Sequence, residues 1–147
     1  MSETSSRINV RTLQSMKKRG EKIAMLTAYD YPTAKLLDEA GVHCLLVGDS
    51  LGMVVQGLET TIPVTLEQMI YHGTLVCRAA RHGMVVVDLP FPVGQISVCH
   101  TVESAARIMK ETQCQAVKME GGHQQARSEE HTSELQSPCN LVCRLLL

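Results

Sequence analysis

Four carboxylates occupy equivalent places in this sequence, because each follows a short apolar run within a residue or two. They are Asp30, Asp49, Asp88 and Glu120. Carboxylates that converge oppose one another's ionisation unless a cation compensates their charge. Oxygen ligands without His or Cys favour a hard divalent ion such as Mg2+ over Zn2+. The set therefore indicates a Mg2+ site, although a single Asp at such a position more often caps a helix or closes a turn.

Two further side chains near these carboxylates could bind an anion. Lys118 lies two residues before Glu120, so both side chains are expected on the same face of one strand. A lysine inside a barrel needs an anionic partner, which could be a substrate carboxylate, Glu120 or another acid. Ser50 directly follows Asp49, and its hydroxyl or N–H could bind an anionic oxygen or be that of an ordinary loop serine. No His–Ser or His–Cys pairing supports a hydrolase.

The elements that must position these residues alternate between apolar runs and helical patterns. Buried strands are predicted at 23–28, 43–47, 84–87 and 116–119. Helices are predicted at 8–19, at 31–40 with Gly41 as its C′ residue, at 66–81 after a Thr65 cap, and after a Thr101 cap. Gly83 is expected to end the third of these helices, and residues 48–65 are predicted to form a Gly-rich loop. The carboxylates then lie where the strands end.

The order of elements predicts an α/β fold. Strands that are apolar throughout fit a parallel sheet covered on both faces. A doubly wound sheet and the first half of a (β/α)8 TIM barrel both fit this order. The sequence has no GxGxxG or Walker A loop, which weakens the nucleotide-binding version of the doubly wound sheet. We therefore favour a truncated TIM barrel with four βα units of the eight that a barrel of about 250 residues contains.

Composition excludes several classes of partner. The 147 residues carry 14 basic and 15 acidic side chains, a net charge of −1, so neither nucleic acid nor an anionic membrane is expected. Aromatic residues make up only 3%, which disfavours a stacking platform for bases. No apolar run is long enough to span a membrane, and the first residues lack the apolar core of a secretory signal. The six cysteines form no Cys-x-x-Cys pair, and we expect reduced thiols in a cytoplasmic protein.

The segment 127–147 differs in character from the residues before it. It has no helical or strand period, and its first part matches the in-frame translation of a common sequencing adapter. We therefore assign residues 1–126 to the N-terminal part of the barrel domain. We treat 127–147 as an artefactual tail that is not part of the fold.

Five short motifs together resemble those of a known protein family. They are Thr-Ala-Tyr-Asp-Tyr at 27–31, Gly-Asp-Ser-Leu-Gly-Met at 48–53 with Gln-Gly at 56–57, Ile-Pro-Val-Thr at 62–65, Asp-Leu-Pro-Phe at 88–91 and Lys-Met-Glu-Gly-Gly at 118–122. Each is weak alone, but their order and spacing resemble ketopantoate hydroxymethyltransferase (3-methyl-2-oxobutanoate hydroxymethyltransferase). That family has a (β/α)8 barrel related to the phosphoenolpyruvate mutase and isocitrate lyase group.

The resemblance implies a reaction and a site. The family transfers a hydroxymethyl group from 5,10-methylenetetrahydrofolate to 3-methyl-2-oxobutanoate, giving 2-dehydropantoate for pantothenate and coenzyme A biosynthesis, by Mg2+-dependent enolate chemistry. It implies Mg2+ ligands at Asp49, Asp88 and Glu120, and 2-oxo acid contacts at Asp49, Ser50, Asp88 and Lys118. The general base of the family is a glutamate in the second half of the barrel, so no catalytic base is assigned here.

Further expectations follow from the same resemblance. The 147-residue chain by itself is expected to be inactive, because it lacks the base. The family forms large homo-oligomers, and a decamer is expected for the full-length protein. Two alternatives stay open at this point. One is another Mg2+-dependent carbon–carbon lyase of the same group acting on a 2-oxo acid, and the other is a non-catalytic half-barrel that serves as a binding module.

Overall fold

A computed structural model of the chain describes residues 7–120, and the tail predicted at 127–147 lies outside the described residues. Ten elements follow one another along the chain. They are α1 (Val10–Lys18), β1 (Met25–Thr27), α2 (Tyr31–Glu39), β2 (Cys44–Val47), α3 (Leu51–Val54), α4 (Leu66–Ala79), β3 (Met84–Asp88), α5 (Val93–Ile96), α6 (Val98–Thr112) and β4 (Ala116–Lys118).

The four strands form one parallel sheet in the order β1-β2-β3-β4. Each strand therefore pairs with the next strand along the chain. A doubly wound sheet reverses its strand order at a switch point, whereas consecutive parallel neighbours are the arrangement of a (β/α)8 barrel. The described residues thus form the first part of such a barrel, as predicted. They contain four strands, and three helices, α2, α4 and α6, each lie between one strand and the next.

Alternate strand residues face two different apolar clusters, as the two-residue period of a strand requires. Leu45, Val47, Val85 and Val87 pack with helices α2, α4 and α6 in the larger cluster. On the opposite face, a second cluster joins the sheet to the first helix; it contains Cys44, Met84, Val86 and Ala116, with Ile8, Val10 and Leu13 packed against it. Helices α2, α4 and α6 thus cover one face of the sheet only, which is the outer face of a barrel.

Local sequence signals explain where several helices begin. Asp30 caps α2 by accepting a hydrogen bond from the Thr33 N–H. Thr65 and Gln68 form a reciprocal capping box at the start of α4, which satisfies amide groups that have no partner inside the helix. Gly41 follows α2 with φ +82°, the left-handed conformation that favours glycine after a helix. The predicted Thr65 cap and Gly41 C′ residue are both confirmed.

Three predictions about helices need correction. Helix α6 begins after Ser97, whose side chain accepts from the His100 N–H, and not after Thr101. Thr101 lies inside the first turn, where its buried hydroxyl donates to the Ser97 and Val93 carbonyl groups. Helix α4 ends at Ala79, earlier than Gly83. The short helix α3 lies in the segment 48–65, for which a loop was predicted, and the short helix α5 lies where no element was predicted.

The prediction that β1 is a buried strand is wrong within the described residues. Met25 is half-buried, whereas Leu26 and Thr27 are exposed, and Leu26 retains 49% of its accessible surface. β1 pairs only with β2, and neither apolar cluster of the described residues includes Leu26 or Thr27. By contrast, every residue of β3 is buried, since β3 has a partner strand on each side.

The described residues also bear on two expectations from composition. No helix within 7–120 combines the length and the apolar character that crossing a membrane requires. Among the same residues, Cys77, Cys99 and Cys114 form no disulfide.

Candidate active site

The carboxyl ends of the last three strands bring the predicted site residues to one edge of the sheet. Asp88 is the last residue of β3, and Lys118 is the last residue of β4. These two residues are direct partners in the parallel register. Asp49 follows β2 by two residues, and Glu120 follows β4 by two. In parallel α/β folds this edge carries the active site.

Lys118 connects two of the carboxylates. Its Nζ lies 2.8 Å from Asp88 Oδ2 and 3.1 Å from Glu120 Oε1. The three side chains differ in exposure, at 23% for Lys118, 5% for Asp88 and 76% for Glu120. The ion pair with an acid that the sequence left open is therefore formed. It does not remove the possibility of a ligand, because the ammonium has three donor positions and stands partly exposed.

The charge of Lys118 does not fully offset the cost of burying the Asp88 carboxylate. Burial raises the pKa of the Asp88 carboxyl, the hydrogen bond and charge of Lys118 lower it, the charge of Asp49 raises it and the Asp49 N–H lowers it, with a net upward shift. Burial lowers the pKa of Lys118, but its bonds to Asp88 and Glu120 outweigh that effect and raise it. Burial thus favours the neutral aspartic acid, and Asp88 Oδ1 is buried without a hydrogen-bond partner. A cation at this oxygen would stabilise the carboxylate.

Ser50 lies near the same edge of the sheet but contacts a residue from another loop. Its Oγ lies 2.8 Å from the hydroxyl oxygen of Tyr29. The backbone at Gly48 passes close beneath: a Cβ there would lie 2.9 Å from Ser50 Oγ and 3.3 Å from Asp88 Oδ2. The glycine therefore makes room for both side chains, and Ser50 is positioned beside the buried carboxylate.

A cleft of about 210 Å³ opens at this edge of the sheet. Asp49 and Glu120 form part of its polar lining. The rest is largely apolar and comes from the loops around α3 and α5 and from the end of β4; it includes Thr61, Ile62, Leu89, Pro90, Phe91, Pro92, Gly94, Gln95 and Met119. This volume lies below the usual range for drug-sized ligands and suits a small metabolite.

Sequence reasoning missed the lining residues of the cleft as functional candidates. Ile62 and Phe91 occur in motifs that carried the family likeness, but no role followed from them. They lie in loops, where neither helical nor strand period indicates which side chains face a ligand. The only signal was their place after the strands that carry the carboxylates.

One of the four strand-end carboxylates does not join the others. Asp30 is exposed and accepts the Thr33 N–H at 2.8 Å as the cap of α2. This is the helix-capping role that a single aspartate at such a position most often has. The three remaining carboxylates, Asp49, Asp88 and Glu120, are those to which the resemblance assigned the metal.

The chemistry of these three carboxylates fits a hard divalent cation. Carboxylate oxygens are the ligands that Mg2+ prefers, and the unpaired Asp88 Oδ1 is an oxygen that a cation would satisfy. Within residues 7–120, no three His, Cys, Asp or Glu side chains already stand in an arrangement that could hold a metal ion. Lys118 instead contacts both Asp88 and Glu120.

Solved structures with the same arrangement of elements define the class of fold. The chain matches phosphonopyruvate hydrolase, whose crystal structure is a complex with oxalate and Mg2+, with a TM-score of 0.71 at 10% identity over 90% of this chain and 50% of that chain. It matches 2,3-dimethylmalate lyase, a PEP mutase/isocitrate lyase superfamily member, with a TM-score of 0.62 at 15% identity over 84% of this chain and 48% of that chain. At such identities these similarities establish the fold alone, which is part of a TIM barrel.

Sequence comparison then identifies the family. The model of the ketopantoate hydroxymethyltransferase family matches residues 7–138. A 3-methyl-2-oxobutanoate hydroxymethyltransferase of Rhodopirellula baltica is 68% identical over 121 residues, which are 82% of this chain and 45% of the relative. One of Cytophaga hutchinsonii is 57% identical over 116 residues, 79% of this chain and 43% of the relative. The chain belongs to the ketopantoate hydroxymethyltransferase family and spans about half the length of the curated relatives it matches.

Proposed function

We propose that this chain is the part of a 3-methyl-2-oxobutanoate hydroxymethyltransferase that binds the metal and the 2-oxo acid. The complete enzyme would transfer a hydroxymethyl group from 5,10-methylenetetrahydrofolate to 3-methyl-2-oxobutanoate, giving 2-dehydropantoate. The observation that carries the proposal is that Lys118 contacts both Asp88 and Glu120 at the carboxyl edge of the sheet, where Asp49 and Glu120 line a small cleft. Membership of the family supports the choice of reaction.

Each charged residue has a role in this proposal. Asp49, Asp88 and Glu120 would hold Mg2+, with the unpaired Asp88 Oδ1 as one ligand atom. When bound, the cation supplies Lewis-acid polarisation of the oxygen atoms of the 2-oxo acid. Lys118 and Ser50 would bind the carboxylate of the 2-oxo acid through their ammonium and hydroxyl groups. Asp49 and Asp88 would also contact the 2-oxo acid, as the resemblance implies.

The apolar lining of the cleft supports a binding place for the alkyl end of the substrate. Leu89 and Pro90 are buried and Phe91 is half exposed, so the cleft has an apolar wall in addition to its charged residues Asp49 and Glu120. Such a wall excludes water from the reacting carbon, which strengthens the electrostatic interactions of Lys118 and the carboxylates. The alkyl end of a 2-oxo acid would lie against it.

We assign no residue of 7–120 as the base that removes the proton from the substrate carbon. The resemblance places that base in the second half of the barrel. A positioned base contributes about 10²–10⁴-fold to a rate, so the 147-residue chain alone is expected to be inactive. Assembly into a homo-oligomer such as a decamer, and a cytoplasmic location, are proposed for the complete protein on the same resemblance.

A hybrid protein tests the proposal. In it, residues 7–120 of this chain replace the aligned segment of the Rhodopirellula baltica relative, which supplies the second half. With Mg2+, 3-methyl-2-oxobutanoate and 5,10-methylenetetrahydrofolate, the hybrid is expected to form 2-dehydropantoate at a rate within about tenfold of the parent relative. The 147-residue chain assayed alongside is expected to form none.

Two results would contradict the proposal. A folded hybrid without transferase activity, beside an active parent relative, would show that this segment does not carry the binding functions assigned to it. Cleavage of a 2-oxo acid in the absence of folate would instead favour the carbon–carbon lyase alternative. Turnover by the 147-residue chain alone would contradict only its expected inactivity.

A further inference from the structure

We propose that Tyr29 is a positioning residue that orients the hydroxyl of Ser50 for an anionic ligand. The inference rests on the proposed function, because it concerns how the 2-oxo acid is bound. Its basis is the hydrogen bond of 2.8 Å between the hydroxyl groups of Tyr29 and Ser50. Tyr29 follows β1 and Ser50 follows β2, so the bond connects the first strand of the sheet to the site.

The backbone of Tyr29 is fixed from two directions. The Ala28 N–H donates to the Leu46 carbonyl at 3.0 Å, which continues the pairing between β1 and β2 up to the residue before Tyr29. His72 Nδ1, on α4, lies 2.6 Å from the Tyr29 carbonyl oxygen. Since a carbonyl oxygen only accepts, Nδ1 carries the proton in this contact. With its backbone held and its side chain buried, Tyr29 presents its hydroxyl at a defined point.

The surroundings of Ser50 show why its hydroxyl needs such a partner. Ser50 precedes α3, yet its side chain makes no capping hydrogen bond to that helix. Its Oγ lies over Gly48, where the missing Cβ would come within 2.9 Å. The hydroxyl is therefore not held by its own helix, and Tyr29 is the side chain that holds it.

The chemistry of the two hydroxyl groups gives the bond a direction. Either hydroxyl can donate in this contact, and we assign Tyr29 as the donor because a phenol is more acidic than an aliphatic hydroxyl. The proton of Ser50 then points away from Tyr29 and is available to an anionic oxygen beside Asp49. Tyr29 acts through Ser50 and does not itself need to contact the 2-oxo acid. Its removal should weaken ligand binding more than it slows the reaction.

A double-mutant cycle in the hybrid protein tests this role. Tyr29→Phe removes one hydroxyl oxygen and is expected to raise the KM for 3-methyl-2-oxobutanoate about two- to tenfold, the range of one hydrogen bond, with kcat within about twofold. Ser50→Ala is expected to raise KM at least as much. The double variant should be no worse than Ser50→Ala alone, because Tyr29 acts only through Ser50. Tyr31→Phe, at a half-exposed tyrosine two residues away, is the matched control and should change neither constant.

The same four proteins give a second readout that does not depend on turnover. Urea unfolding of the hybrid and its variants should show coupling between Tyr29 and Ser50, equal to about a two- to tenfold change in the ratio of folded to unfolded protein. Independent, multiplying effects on KM, or an unchanged KM in Tyr29→Phe, would overturn the positioning role. A hybrid without turnover but with coupled unfolding would overturn the proposed function, and with it the ligand role, while leaving the hydrogen bond itself. Absence of coupling in both readouts would overturn the inference entirely.

Discussion

Lys118 and Asp88 are register partners on adjacent parallel strands, and their charged groups meet at 2.8 Å. The pairing positions a cation and a carboxylate on the same face of the sheet at the end of β3 and β4. The pKa of Lys118 is raised by this contact, yet burial keeps the pKa of Asp88 raised as well. Asp88 is therefore only partly compensated, which is the condition under which a carboxylate gains most from a further cation.

The first prediction concerns the role of Asp88 in cation binding. Asp88→Asn in the hybrid protein should lower the affinity for Mg2+ at least about tenfold, since even residues that only support metal ligands contribute that much. The amide keeps the size of the side chain but removes the charge that a hard cation requires. Isothermal titration with Mg2+ measures the affinity directly.

The matched control for this change is Asp30→Asn. Asp30 also follows a strand, but it caps α2, and asparagine is as good a cap as aspartate. Mg2+ affinity and thermal stability should therefore be unchanged in this variant. Equal loss of affinity in both variants would show that overall negative charge, rather than the position of Asp88, attracts the cation.

The second prediction concerns the close approach of the backbone at Gly48. In Gly48→Ala the new methyl group would lie 2.9 Å from Ser50 Oγ and 3.3 Å from Asp88 Oδ2. At least one of these two side chains must move, so the KM for the 2-oxo acid should rise about tenfold or more, as a displacement near 1 Å at a site can cost about 10²-fold. Steady-state kinetics of the hybrid protein measure this effect.

A second substitution separates the two contacts of that methyl group. Ser50→Ala removes the oxygen at the shorter distance and leaves the contact with Asp88. If the Ser50 contact dominates, adding Gly48→Ala to Ser50→Ala should raise KM by less than about twofold. The same tenfold increase in both backgrounds would mean that displacement of Asp88 is responsible.

Much of this site could be predicted because parallel strands impose it. Apolar runs identified β2, β3 and β4, and parallel strands all end at one edge, so Asp49, Asp88 and Glu120 were expected together. The prediction for Asp30 failed because the helical and strand periods of the sequence do not show which strand-end carboxylate caps a helix. Asp30 looks like the other three in sequence, but a helix begins directly after it, and its carboxylate satisfies that helix.

Two other features were decided by neighbours that the local sequence does not specify. The run that forms β1 is as apolar as a buried strand, but Leu26 and Thr27 are exposed because neither apolar cluster of the described residues covers them. The apolar wall of the cleft comes from loop residues such as Ile62 and Phe91. Ile62 and Phe91 come together because of the path that their two loops take. Loop sequences have no hydrophobic period that would predict which side chains line a cleft.

The third prediction tests the corrected start of α6. Ser97→Ala should lower the free energy of unfolding by about 1 kcal/mol, because the His100 N–H loses its acceptor. Ser97→Asn should cost little, since asparagine also accepts at a cap. Urea unfolding of the hybrid protein measures both. A cost that is equal for alanine and asparagine would mean that the side-chain bond at 3.2 Å does not stabilise the helix.

The fourth prediction arises from a buried carboxylate at the opposite end of the sheet. Asp38 on α2 accepts hydrogen bonds from the N–H groups of Arg81, His82 and Gly83, which precede β3, and contacts His82 Nδ1. Burial raises the pKa of Asp38, but these hydrogen bonds outweigh burial and lower it overall. The carboxylate thus joins the end of α2 to the start of β3 in its charged form.

A lowered pKa in the folded state gives a defined direction to the pH dependence. The stabilisation by Asp38 is fully present above its unfolded pKa of about 3.9, and it is lost as the pH falls through the lower folded value. Asp38→Asn should therefore cost about 1–3 kcal/mol at pH 7, where several N–H groups lose a charged acceptor. It should cost less as the pH falls below about 3.9, because the unfolded carboxylate then takes up a proton while the folded carboxylate, with its lowered pKa, resists it. Glu39→Gln, at an exposed neighbouring residue, is the control. Urea unfolding of the hybrid between pH 7 and 3 measures the cost of each substitution. A cost of Asp38→Asn that stayed constant over this range would contradict the prediction.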